Sequence, residues 1–130
     1  MELAITATLD ITERDELLNG TQSVTFAGES DDGRWSISGS VAWNLGLIDF
    51  PGEGDLVLGA EGDSSEIFAT LTRAAARPDG EGGGETTISL GYEVDGGHGR
   101  YEGAAGRARG EVSILGDTLR GSWVLTLTEG

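Results

Sequence analysis

Few residue types here could do covalent or acid–base chemistry. The chain has no Cys, and arginine supplies all of its 8 basic residues. Thiolate nucleophiles, disulfides and lysine Schiff bases are therefore excluded. The one histidine, His98, cannot build an imidazole zinc site, and no metal or cofactor is expected. His98 titrates near neutrality and could serve as a general base. It lies between Gly97 and Gly99 with no carboxylate at triad spacing, so an exposed loop histidine is the plainer expectation. The serines between Arg34 and Ser40 lack the Gly-x-Ser-x-Gly elbow of a nucleophile. Asp31 with Asp32, and Glu61 with Asp63, fall in turn signals and read as turn residues, not as glycosidase acids. That leaves Tyr92, whose phenol could donate a hydrogen bond to a carbonyl and polarise it. Trp35, Trp43, Phe68 and Trp123 are the aromatic candidates for a wall that binds an apolar ligand, or equally for core.

Strands must position these groups, because the dominant pattern is period-two alternation. Leu3, Ile5, Ala7, Leu9 and Ile11 share one face. Val24 and Phe26 mark a second strand, which Gly28 ends. Trp35, Ile37, Val41 and Trp43 share the face expected to point inward, opposite Arg34, Ser36, Ser38 and Ser40. Leu56 to Leu58 suggests a short fourth strand. Ile67, Ala69 and Leu71 alternate with Phe68, Thr70 and Thr72. Ile88, Leu90, Tyr92 and Val94 alternate with Ser89, Gly91 and Glu93, which leaves Glu93 exposed. Val112 with Ile114, then Leu119 to Leu127, complete eight strands. Turn signals stand at Asn19-Gly20, Asp31-Asp32-Gly33, Gly62-Asp63, Asp79-Gly80 and Gly116-Asp117. Glu13 to Leu18 could form one helical turn, and Asp79 to Glu85 reads as a flexible hairpin loop. The 130 residues suit one domain. The expected fold is all-β, an eight-stranded antiparallel up-and-down barrel of calycin-like form; a two-sheet sandwich is the alternative. A barrel of that size has an interior that is filled by side chains or holds one small ligand.

Charge narrows the partners. The formal net charge is −15, from 23 acidic residues. Phosphate backbones and anionic membrane surfaces are repelled, and no apolar run is long enough for a helical span. The acidity and absent lysine also fit a salt-adapted host, although a GC-rich genome would replace Lys by Arg as well. No secretory signal follows Met1, so a cytoplasmic location is the default expectation. A homo-oligomer is compatible with the composition. Arg100, Arg107 and Arg109, against Glu102 alone, leave residues 96–110 at +2. They could pair with acidic neighbours across strands, or recognise a carboxylate or enolate on a ligand.

Residues 94–112 carry the most specific motif, in which Gly96, Gly97, Gly99, Tyr101, Gly103 and Gly106 precede the next strand. No Gly-Lys-Ser/Thr follows, so this is no nucleotide loop. The segment resembles the glycine-rich stretch of the allene oxide cyclase and dirigent-like barrels. The resemblance implies an eight-stranded antiparallel barrel with an apolar lumen, glycines that permit tight turns, and an aromatic, here Tyr101, plugging one end. It also implies reactive hydrophobic ligands steered through cyclisation or coupling, and it transfers no catalytic residue. The expected function is a small-molecule cyclase or isomerase that confines a hydrophobic linear precursor, with Tyr92 as donor. The alternative is a barrel that carries an apolar small molecule unchanged; a third is an interaction or structural domain whose barrel is filled.

Overall fold

Alternation buries one side of each strand, and eight such strands roll up until their two outer edges meet. The computed structural model describes residues 2–16, 21–44, 54–62, 64–78 and 86–128. The strands are β1 (Glu2–Glu16), β2 (Thr21–Glu29), β3 (Trp35–Asn44), β4 (Gly54–Ala60), β5 (Glu66–Pro78), β6 (Thr86–His98), β7 (Ala105–Leu115) and β8 (Thr118–Thr128). Each pairs antiparallel with the next, and β8 closes on β1 in a ladder from Leu125 opposite Leu3 to Leu119 opposite Leu9. The fold is thus the eight-stranded antiparallel barrel, not the sandwich. Among the described residues the only helical element is the 3-10 turn Gly99–Tyr101.

Two local expectations change. Glu13 to Glu16 continue β1 instead of forming a helical turn; Leu17 and Leu18 lie outside the described residues. The ladder passes a bulge between Ile11 and Glu13, then pairs Glu13 with Thr25 and Glu16 with Gln22. Partner strand β2 supplies hydrogen bonds that a lone helical turn could not match. The glycine-rich segment is also mostly strand. His98 is the last residue of β6, not a loop residue, and β7 begins at Ala105, well before Val112. The turn at Asp79-Gly80 and the loop Asp79–Glu85, like Asn19-Gly20 and Asp63, lie outside the described residues.

The meander gives the barrel two unlike ends. The β2–β3, β4–β5 and β6–β7 connections gather at one, here the capped end; the β7–β8 turn lies at the other. Between them the inward positions are almost wholly apolar, from Ile67 and Leu127 near the capped end to Val41 and Ile88 near the opposite one. Outward positions such as Thr6, Thr8, Ser36, Ser38, Arg107 and Arg109 are exposed and polar, unlike the apolar outer band of a lipid-embedded barrel.

Candidate functional site in the barrel lumen

The middle of the lumen is built on two aromatic–glycine pairs. Trp123 on β8 lies directly across the ladder from Gly110 on β7. A Cβ at Gly110 would stand 2.5 Å from the indole Cδ1 and 2.9 Å from Nε1, so the bare backbone is what lets the ring lie against the wall. Phe26 on β2 lies across from Gly39 on β3, where a Cβ would stand 3.1 Å from the ring tip. From the two strands that flank β1 the rings stack, with centroids 6.3 Å apart and planes 27° from parallel. Both residues are 0% exposed, so side chains fill the lumen at this level.

Tyr92 on β6 points into the same layer and is 3% exposed. Its hydroxyl and the Trp123 indole nitrogen are buried, and neither has a hydrogen-bond partner among the described residues. Burial pushes the Tyr92 phenol well above its ordinary range; the Trp123 indole N–H opposes the rise, and the Asp55 charge adds to it. The indole is therefore near enough to be felt, yet the pair does not meet hydrogen-bond geometry. The phenol stays neutral at any physiological pH. A buried donor without an acceptor costs about 1–3 kcal/mol, and here two share one apolar chamber.

The other sequence candidates are dispersed. Trp35 lies at the capped end, where it packs on Tyr101 with centroids 5.9 Å apart, and the Arg100 guanidinium sits 5.6 Å from the Tyr101 ring centre. Tyr101 thus closes that end as an aromatic plug. The plug needs its glycines: Gly99 has φ 64°, and a Cβ on Gly97 would run into the carbonyl oxygens of Glu66 and Tyr101. Phe68 does not line the lumen. Alternation with buried Ile67 and Ala69 turns it outward, where its ring meets His98 edge-on at 5.2 Å. Trp43 contributes a backbone position opposite Gln22, and its side chain lies outside the described set. His98 is exposed and remote from Tyr92 in the ladder. Arg107 and Arg109 project outward, so they cannot receive a carboxylate or enolate inside the barrel. Arg107 lies opposite Glu93, yet the two form no ion pair.

The structure therefore brings together Tyr92 and Trp123 and leaves Trp35 and Phe68 out of the layer. Phe26 as a site residue, and Gly39 and Gly110 as seats, emerge only from the strand register. One signal was available: Gly39 interrupts the apolar face of Trp35, Ile37 and Val41, a place where a large ring from the next strand can lie. Comparisons with protein-family models, with curated proteins and with solved structures found no match for this chain.

Proposed function

We propose that this barrel binds an apolar small molecule carrying one acceptor oxygen, a carbonyl being the simplest, between the Tyr92 hydroxyl and the Trp123 indole N–H. One observation carries the reading: these are the unpartnered buried side-chain polar groups of the described structure, and they stand close together in an apolar lumen. An indole nitrogen can only donate, and a phenol can donate, so a single oxygen satisfies both. The ligand gains room when the Trp123 ring leaves its seat on Gly110, because the layer is otherwise full. The cost of that repacking is offset by the two donors that gain an acceptor.

Cyclisation or isomerisation of a linear precursor is the reaction such a site would serve. Two donors facing an oxygen that gains negative charge, with walls that hold the chain folded, need neither nucleophile nor metal. The likeness of the Gly96–Gly106 segment to allene oxide cyclase and dirigent-like barrels supports that reaction class.

The test is a tryptophan-fluorescence titration with a hydrophobic ketone and with a hydrocarbon of the same shape. The ketone should bind more tightly, and Tyr92→Phe should weaken the ketone by about three- to tenfold while leaving the hydrocarbon unchanged. A ketone and a hydrocarbon that both leave the Trp123 signal untouched would overturn the reading. So would a Tyr92→Phe variant with unaltered ketone affinity.

A further inference from the structure

The outer wall of β6, β7 and β8 stands apart from the rest of the surface. On β7, Arg107, Arg109 and Glu111 point outward in succession and form a charged ridge. Small side chains or none flank its Arg109 and Glu111: Ser89 and Gly91 on β6, Ser122 and Val124 on β8. Shallow grooves therefore run along both sides of the ridge, one over Gly91 beside Arg107, the other over Ser122 and Val124 beside Arg109 and Glu111. Arg109 and Glu111 are two positions apart on one face, yet they form no ion pair with each other or with any other described residue. In a chain of net charge −15, unpaired arginines are unexpected on electrostatic grounds alone.

We propose that this wall is the contact between two copies of the chain, related by a two-fold axis that crosses β7 at Gly110. The charge order along the ridge carries the inference. A two-fold at that point reverses the strand, so Arg109 of one copy faces Glu111 of its mate, and Glu111 faces Arg109. The ladder rows then match as well. The row Ser89–Glu111–Ser122 meets the row Gly91–Arg109–Val124, which sets small residues against small residues on both sides of the two ion pairs. The monopole repulsion between two acidic copies is spread over the whole surface, and at about 0.15 M salt charges more than about 8 Å apart are largely screened. Ion pairs in contact and partly shielded from water are screened far less, so the local attraction prevails.

Light scattering after size-exclusion chromatography at near-physiological salt tests this directly. The parent chain should run at twice its chain mass. Arg109→Glu and Glu111→Arg should each run at the single-chain mass, because each sets like charges face to face at both symmetry-related pairs. The double variant Arg109→Glu/Glu111→Arg restores opposite charges and should return to twice the mass. Both positions are exposed, so circular dichroism should be the same for all four proteins. A parent chain that stays monomeric overturns the proposal. A dimer that survives either single reversal, or a double variant that remains monomeric, overturns it too.

Discussion

At the capped end the buried serines Ser30 and Ser65, 6% and 4% exposed, are fully engaged. The Trp35 amide donates to Ser30 Oγ at 3.0 Å, and the Ser30 hydroxyl donates to Asp32 at 2.6 Å. The Arg100 amide donates to Ser65 Oγ at 3.1 Å, tying the β6–β7 turn to the β4–β5 turn. In the middle of the same barrel, Tyr92 and Trp123 are more deeply buried and have no partner among the described residues. The same wall of strands thus satisfies every buried side-chain polar group where turns must be locked and leaves two unsatisfied where only side chains meet. Unsatisfied buried donors in an otherwise consistent structure mark a place where stability has been given up, as functional sites do.

That contrast can be broken in four ways, the largest effect first. Gly97→Val should destabilise the barrel by about 3 kcal/mol or prevent folding, because its side chain would meet the carbonyls of Glu66 and Tyr101, which are backbone and cannot rotate away. Thermal unfolding followed by circular dichroism reads this. A Gly97→Val protein that melts like the parent would remove the claim that the capped end is rigid.

Ser30→Ala should cost about 2 kcal/mol, because it strands the buried Trp35 amide that now donates to Ser30. Tyr92→Phe carries the opposite sign. It removes a hydroxyl that has no partner and keeps the ring, so the protein should gain about 1 kcal/mol, a rise of roughly 3 °C in Tm. Chemical-denaturant curves on the two variants compare the ends of the scale directly. If Tyr92→Phe destabilises as Ser30→Ala does, the phenol has a partner and the middle is no different from the cap.

pH supplies the smallest effects. The Tyr92 phenol is held well above its ordinary range, chiefly by burial. The stability linked to its neutral form is therefore full below about pH 10 and is lost as pH rises beyond the unfolded-state value. The alkaline limb of a stability–pH profile should be flatter in Tyr92→Phe. Asp32 behaves in reverse. The Ser30 hydroxyl, then the Arg34 amide, hold its carboxyl below the usual carboxylate range. Its contribution is present above about pH 3.9 and fades as pH falls through the lower folded value. Ser30→Ala should shrink that acid limb while the Arg34 amide keeps part of it, and an unchanged limb would show that the Ser30 bond does not set the Asp32 titration.

The strands were legible in the alternation, and so was the inward face of β3, because a half-buried wall leaves a period of two whatever it encloses. Tyr92 was legible as an inward residue for the same reason. Phe68 departs from the expected ligand wall: its aromatic character suits one, but its place in the alternation with Ile67 and Ala69 does not. Alternation decided, turning Phe68 out against His98. Glu13 to Glu16 depart from expectation because their local charge spacing suits a helical turn, whereas the strand pairing available there comes from residues 22–25.

The sequence by itself determined that this chain is a single-period β structure rich in glycine, strongly acidic, and without Cys or Lys. Those properties are sums over residue types or repeats between near neighbours, and they survive any choice of register. Only the tertiary structure decided that Trp123 lies on Gly110 and Phe26 on Gly39, and that the Tyr92 hydroxyl and the Trp123 nitrogen are stranded side by side. Each of those facts depends on which residue of one strand faces which residue of another. A shift of one position would turn every such side chain to the opposite face of the wall.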